Sequence, residues 1–428
     1  MPSKIKIIDE PTIVENLPIT ITEDSTYSIE QSNPNSFTHG FFKYPCKFIP
    51  EIPRWAIKKY ATENSLIFDP FAGSGTTLLE AQIMGFDAYG TEIDPVAKKI
   101  IQAKTQKYSS DDIDSIDFMY DKIIKTLEND STSSIEVFIP KINNLEHWFN
   151  ANNANTLGKL RTLINEIQNK KAQSFLEIVF LSIIKSVSNA DDTSPKPYVS
   201  KKIIKDPPDA LERFKSTFVR YRIMLQEYAD ANPNNIIKIA EGDALNTETN
   251  FTADLAITSP PYINAFDYPR TLRLENLWME THTEESILNS KKQYVGTEHF
   301  NLEDERTKSL DILELSTTLK EKFTLIKNTD EKRAFVVKKF FSDMKSNLLN
   351  VNTHLSTGGH YIIVIGNSVI RKNLIESWKI LSDIAPYAGF SCISHFSYII
   401  KNPYIRIPRS GRGGEIKKDH VIVLKKIN

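Results

Sequence analysis

Apolar residues along the chain fall into two kinds of run. Short ones stop abruptly on a polar or turn-forming residue. Leu66-Ile67-Phe68 ends on Asp69, Ala88 to Gly90 leads to Glu92, Ile236 to Ala240 leads to Gly242-Asp243, and Leu255 to Thr258 leads to Ser259. Runs of this length bounded by turn signals predict strands buried on both faces. Longer stretches repeat at helical spacing. Thr77 to Met84 is stopped by Gly85, Val96, Ile100 and Ala103 share a face of 96–107, and Leu160, Leu163, Ile164 and Ile167 are followed by Phe175, Leu176, Val179 and Ile183. Late in the chain, Gly358-Gly359 open HYIIVIGNS, a helix is predicted over Asn373–Ala385, and Phe390–Ile400 and HVIVLKK read as two further strands. Strand alternating with helix predicts an α/β fold around a mostly parallel sheet.

The alternation is interrupted twice, which divides the chain. Residues 1–36 are mixed and polar, an arm or an edge hairpin. Residues 37–107 hold the first strands. Residues 108–235 are predicted helical and depart from the sheet repeat; they open with an acidic helix (Asp111, Asp112, Asp114, Asp117, Asp121) and end in a basic part. The sheet resumes over 236–279, a charged helical segment covers 280–357, and 358–428 completes the sheet. The 108–235 insertion is long enough to form a separate module beside the cleft, or to brace the sheet.

Composition narrows the class. The 428 residues are 40% hydrophobic and 25% charged with formal net charge -1, as in an ordinary globular protein. Overall charge therefore gives no attraction to nucleic acid, and any such attraction needs a local patch. Two cysteines, Cys46 and Cys392, support neither a disulfide framework nor a zinc site, so no metal is expected. No apolar run approaches a membrane span and no signal peptide is seen, which predicts an intracellular protein.

The chemistry is concentrated at two strand ends. LIFDPFAGSGTTLLEAQIMGFDAYGTEIDP, residues 66–95, reads strand, glycine turn, helix, strand, acid. In a doubly wound sheet that order builds a cofactor site. Gly73 and Gly75 admit close backbone approach, flanked by Asp69, Phe71, Ser74 and Thr76. Glu92 at the second strand tip is placed to accept two ribose hydroxyls. Neither GxxxxGK[ST] nor GxGxxG is present, so the site fits a nucleoside without a pyrophosphate. Asp243 stands at a third strand tip, near where an adenine would lie. Downstream, DLAITSPPY ends a fourth strand on Ser259-Pro260-Pro261-Tyr262. The prolines fix φ and hold the Ser259 and Pro260 carbonyls rigid, which with the Ser259 hydroxyl could hold an exocyclic amine. Tyr262 offers a flat face to an extruded base. A strap, HGFFKYPCKFIP, precedes the first strand.

DPFAGSGTT together with TSPPY resembles the amino-methylating DNA methyltransferases that use S-adenosylmethionine, the N4-cytosine and N6-adenine enzymes. The resemblance covers about 37–107, 236–279 and 358–426. It implies a Rossmann-like class I methyltransferase with a seven-stranded sheet in the order 3-2-1-4-5-7-6, carrying the helical insertion. It implies that Tyr44, Lys47 and Phe48 of the strap, with His39, cover the methionine end of the cofactor, and that Asp243 bonds the adenine amino group. The serine form of the tetrapeptide goes mostly with cytosine, so site-specific N4 methylation of cytosine in duplex DNA with base flipping is expected. The alternative is N6-adenine; an RNA amino-methyltransferase or an inactive binding module stand further off. A cognate restriction endonuclease acting separately, and a prokaryotic cytoplasm, are also implied. Monomer and dimer are equally open.

For DNA contact the basic stretch Lys196, Lys201, Lys202, Arg220 and Arg222 is the first candidate, helped by Arg270 and Arg273, three apart on one predicted helical face. The segment 280–350 competes. The glycine-rich basic loop with Arg406, Arg409 and Arg412 suits backbone phosphates.

Overall fold

The computed structural model describes residues 11–30, 33–45, 47–129, 135–202, 204–263, 267–401 and 417–427. The strands are β1 (Thr12–Val14), β2 (Thr26–Ile29), β3 (Ile67–Asp69), β4 (Ala88–Gly90), β5 (Ile237–Ile239), β6 (Ala253–Thr258), β7 (Leu355–Gly366), β8 (Ser368–Ile370), β9 (Asn373–Ile375), β10 (Phe390–Ile399) and β11 (Lys418–Lys426). The main sheet has nine strands, not seven, in the order β1-β2-β10-β11-β7-β6-β3-β4-β5. The extra two come from the N-terminal arm. They form no hairpin: β1 pairs parallel with β2, and β2 pairs parallel with β10. Only β11 runs antiparallel, to both β10 and β7.

Alternation along β7 explains why the sheet is covered on both sides. Ile362 and Val364 join a core with Ile257, Val421, Val423 and Phe396 beneath α1 (Glu51–Tyr60) and α2 (Thr76–Ile83). Tyr361, Ile363 and Ile365 point to the other face, with Ile422 and Leu424. Successive strand side chains face opposite ways, so a doubly covered strand must be apolar throughout.

Among the described residues six helices follow β4 before the sheet resumes at β5: α3 (Pro95–Thr105), α4 (Ser110–Glu128), α5 (Leu145–Trp148), α6 (Ala151–Asn165), α7 (Lys170–Ile184) and α8 (Ala210–Asp230). Helix α7 is apolar around its circumference, and Phe175, Leu176, Ile178, Val179, Phe180, Leu181, Ile183 and Ile184 are all fully buried. A helix of that kind must be surrounded, and α7 touches α3, α4, α6, α8 and the later α10. Its core also takes in Phe41, Tyr44, Leu79, Val96 and Ile100 of the sheet domain. The insertion is therefore an extra layer on the sheet domain and not a detached module.

Beyond β6 lie α9 (Tyr268–Thr271), α10 (Arg273–Trp278), α11 (Glu284–Ser290), α12 (Leu302–Thr307), α13 (Thr317–Lys327) and α14 (Glu331–His354). α13 and α14 pack on the second face of the sheet, with α15 (Ser377–Ile384). The helix predicted over 373–385 begins instead as a strand, because β8 and β9 form a two-stranded antiparallel ribbon before α15. No helix among the described residues is long and apolar enough to cross a membrane.

Candidate functional site: a cleft at the carboxyl ends of four strands

Strands β3, β4, β5 and β6 are parallel neighbours, so their carboxyl ends open on one side. A cleft there encloses ≈ 810 Å³, the open solvent at its mouth included. Tyr44, Lys47, Phe48, Phe71, Gly73, Ser74, Thr76, Glu92, Asp243, Ser259 and Pro261 all line it. Segments nearly two hundred residues apart in sequence thus share one wall.

The turn after β3 is shaped by φ. Gly73 sits at φ 51 and Gly75 at φ 79, where L side chains are strained. Gly75 caps α2, and a Cβ there would lie 3.1 Å from Ile101 Cγ1. The turn is pinned by polar contacts on its far side. Gly73 N–H donates to Glu92 Oε2 at 2.9 Å, and the fully buried Lys104 donates to the Ser74 carbonyl at 3.0 Å. Burial holds the Lys104 ammonium well below its ordinary pKa.

Glu92 is more constrained than a strand-tip acid awaiting two hydroxyls. Its Oε1 already accepts the N–H groups of Ile93 and Asp94, both at 2.8 Å. Burial nonetheless pushes it up to about 7, because desolvation outweighs the three backbone donors and Asp94 adds like charge. Asp94 in turn caps α3, accepting from Val96 and Ala97. Asp243 Oδ1 is held by Leu245 and Asn246 N–H groups at 2.7 and 3.0 Å.

Five residues expected at the cofactor or the target base do not line the cleft: His39, Asp69, Gly75, Pro260 and Tyr262. Asp69 is buried behind it as a brace. Its Oδ1 accepts the Thr258 hydroxyl at 2.6 Å and Phe71 N–H at 3.1 Å, while burial raises it to about 6. The Tyr262 hydroxyl donates to Asp419 Oδ1 at 2.7 Å, which fixes where its ring stands. Other aromatics take the cleft wall. Tyr268 and Tyr294 lie parallel, with centroids 6.3 Å apart and planes at 8°. Nothing in their loop and short-helix positions marks them in the sequence.

The strap divides its labour. Tyr44, Lys47 and Phe48 reach the cleft, and Lys47 also donates to the His39 carbonyl at 3.0 Å. His39 itself is buried against Glu80 of α2 at 2.9 Å, and Arg54 grips the same carboxylate at 2.8 and 3.0 Å. Burial lowers the His39 pKa. Glu80 and Arg54 have no motif to announce them.

Of the candidate DNA contacts, Lys201, Lys202, Arg220 and Arg270 are exposed and Lys196 is half-buried. Arg222 is engaged inside the insertion, bonding Asp117 of α4 at 2.9 Å. Arg270 and Arg273 do not share a helix, because the chain breaks at Leu272 between α9 and α10. Arg273 is clamped to Glu284 and lies over the Trp148 ring at 4.9 Å. Arg406, Arg409 and Arg412 lie outside the described residues. No cluster of three metal-ligating side chains occurs among the described residues.

Residues 20–103, which include the strap and the glycine turn, match the family model described as DNA methylase. Over those residues the chain is similar to DNA methylases. Type II methyltransferase M.MvaI of Kocuria varians is 23% identical over 421 residues, covering 92% of this chain and 91% of that protein. M.BsoBI of Geobacillus stearothermophilus is 25% identical over 275 residues, 57% of this chain and 53% of that protein. M.MjaII of Methanocaldococcus jannaschii is 30% identical over 122 residues, 28% of this chain and 23% of that protein. Among solved structures, the glycopeptide N-methyltransferase MtfA complexed with S-adenosylmethionine aligns at TM-score 0.29 and 7% identity, covering 92% of this chain and 98% of that chain, a likeness too low to carry an argument. The matched residues end before Asp243 and Ser259, which meet the glycine turn only in the fold.

Proposed function

We propose that the protein is an S-adenosylmethionine-dependent DNA methyltransferase that modifies the exocyclic N4 amino group of cytosine in duplex DNA, with the base turned out of the helix. The observation that carries this reading is the meeting of Gly73, Glu92, Asp243, Ser259 and Pro261 in one cleft. The cleft fits such a cofactor by its own chemistry. The turn at Gly73 presents backbone without a Cβ, a carboxylate stands at the next strand tip, and aromatic faces of Tyr44, Tyr268 and Tyr294 line the remainder. The cofactor, when bound, supplies a methyl group on a sulfonium.

The chain's own part is orientation. Glu92 takes the ribose hydroxyls, Asp243 faces the adenine, and Tyr44, Lys47 and Phe48 close over the amino-acid end. Ser259, which lines the cleft, accepts from the target amino group and stabilises the positive charge that grows on its nitrogen. Alignment of nitrogen, methyl and sulfur supplies the rate, so the reaction requires no covalent enzyme intermediate. Duplex DNA is the macromolecular partner, contacted by Lys201, Lys202, Arg220 and Arg270, and a separately acting restriction endonuclease fits this role.

Transfer of labelled methyl to plasmid DNA, followed by mass spectrometry of the nucleosides, tests the reading. N4-methylcytosine is expected. N6-methyladenine alone would replace cytosine by adenine as the target, and unlabelled DNA beside labelled RNA would move the enzyme to another substrate.

A further inference from the structure

Behind the glycine turn stands a positive charge that no carboxylate among the described residues balances. Lys104, on α3, is fully buried, and its Nζ donates to the Ser74 carbonyl at 3.0 Å. A carbonyl oxygen carries no full charge, and the ammonium has further donors to give. The acid on this side of the turn is already spent: Glu80 is taken by His39 and Arg54. The second lysine nearby, Lys47, also meets a carbonyl, that of His39 at 3.0 Å. The residue before it, Thr38, donates its hydroxyl to the Lys104 carbonyl at 2.8 Å, so the strap and α3 are joined here. Taking an ammonium out of water without a counter-charge is costly, and a chain that keeps one beside its cofactor turn gains from it only when an anion comes.

Ser74 gives the second sign, independent of the first. It is 3% exposed and lines the cleft, yet its hydroxyl oxygen has no hydrogen-bond partner. Buried hydroxyls are normally satisfied. Next to it α2 begins at Gly75 with no side chain capping it. The first N–H groups of a helix so begun, and the positive end of its dipole, favour negative charge.

Buried cation, unpartnered hydroxyl and uncapped helix start agree in sign and in place. Each suits an anion with oxygen acceptors. The remaining acids of the cleft limit its size. Glu92 and Asp243 line the same cleft, so a polyphosphate filling it would lie against both. A single carboxylate at the Ser74 end meets neither objection.

We propose that Ser74 and Lys104 form a carboxylate subsite: the Ser74 hydroxyl donates to the carboxylate at the amino-acid end of the cofactor, and the Lys104 ammonium behind the turn balances its charge. This rests on the methyltransferase reading above and names what holds one end of its cofactor. S-adenosylmethionine and its decarboxylated form differ only in that carboxylate, so calorimetry with the two isolates the subsite. The unmodified protein is expected to bind the carboxylated form at least about 10-fold more tightly, the worth of a charge-assisted hydrogen bond. Lys104→Met and Ser74→Ala should each bring the ratio of the two Kd values towards one and leave the decarboxylated form bound as before. Lys104→Met should also leave Tm no lower, since a buried unpaired ammonium is removed, whereas a lysine that only braces the turn predicts a lower Tm and equal weakening of both ligands. That result, or an unchanged ratio in Ser74→Ala, would overturn the proposal. Ser74→Ala removes only an unpartnered oxygen, so it carries the test by itself if Lys104→Met does not fold. A protein that shows the ratio but methylates no DNA fails the functional reading and keeps the subsite. One that methylates DNA but binds both forms equally keeps the reading and loses the subsite, and one that binds neither form loses both.

Discussion

The Thr258 hydroxyl donates to Asp69 Oδ1 across 2.6 Å, so the last residue of β6 is fastened to the last residue of β3. One bond therefore sets the distance between the glycine turn, which starts after Asp69, and the tetrapeptide, which starts after Thr258. Phe71 N–H adds a second tie to each, at 3.1 Å to Asp69 and 3.2 Å to Thr258. Asp69 Oδ2 is buried without a hydrogen-bond partner, so the carboxylate depends on its other oxygen. Thr258→Val keeps the shape and removes the donor. It should cost about 1–3 kcal/mol, the penalty for an unsatisfied buried group, read as a lower denaturant midpoint at unchanged m. Methyl transfer should fall more than the folded fraction does. A variant as stable and active as the unmodified chain would show that the two strand ends do not need this link.

Cofactor affinity should depend on pH through Glu92. Burial places its folded pKa at about 7, above the ordinary 4.5. The protonated form is thus favoured by folding, so this group's contribution to stability is present below pH 4.5 and is lost as pH rises through 7. Cofactor binding runs the other way, because ribose hydroxyls donate to the carboxylate. Affinity for S-adenosylmethionine should climb as pH rises from 5.5 to 7 and level off by 7.5, before the ligand's own amino group titrates. Glu92→Gln should bind more weakly and flatten the profile. Calorimetry across that range decides it, and a slope that survives in Glu92→Gln would assign the titration to another group.

These two sites illustrate what the sequence carried and what it withheld. Asp69, Glu92, Asp243 and Ser259 were legible because each follows a short apolar run, and strand ends in parallel sheets gather on one side. The N-terminal pairing was not: β1 and β2 are three and four residues long, too short for a period, and their partner β10 lies at the far end of the chain. The anchor of Tyr262 was not legible either, because Asp419 is 157 residues away. Arg273 read as a DNA contact because helical spacing fixes a face but not a neighbour, and Glu284 comes back to it around a turn. Glu80 carries no sequence signal, since its partners Arg54 and His39 meet it only in the fold.

That buried carboxylate should prove a structural bolt. Desolvation alone would raise its pKa, but hydrogen bonds from His39 and Arg54 outweigh it and hold Glu80 below the ordinary value. Its contribution to stability is therefore present above pH 4.5 and lost as pH falls through its folded pKa. Glu80→Ala leaves His39 buried and Arg54, 26% exposed, without a partner. The cost should lie near the lower end of about 3–5 kcal/mol. Because the strap carries Tyr44, Lys47 and Phe48 to the cleft, cofactor affinity should weaken as well. An unchanged midpoint in thermal unfolding would mean that the strap is held by its aromatic residues alone.

The candidate arginines make separable predictions about DNA. Arg273 is 17% exposed, paired with Glu284 and stacked on Trp148, and Arg222 is spent on Asp117. Neither should contribute to the salt dependence of binding. Arg273→Ala should lower stability by about 1–3 kcal/mol, since it leaves Glu284 without its charge-assisted bonds and uncovers the indole. Arg270, exposed three residues earlier, behaves differently if it meets a phosphate. Arg270→Ala should leave Tm unchanged and reduce the slope of log K against log salt by about 1, as should the removal of Lys201, Lys202 or Arg220 charge one at a time. A loss of sequence preference at constant slope would instead make the residue a reader of base edges. Fluorescence anisotropy over a salt series, with a cognate and a scrambled duplex, separates the two. If Arg273→Ala changes the slope and Arg270→Ala does not, the clamp to Glu284 opens on DNA and the assignments exchange. If no substitution in the 196–222 stretch changes slope or preference, DNA recognition passes to the 280–350 segment.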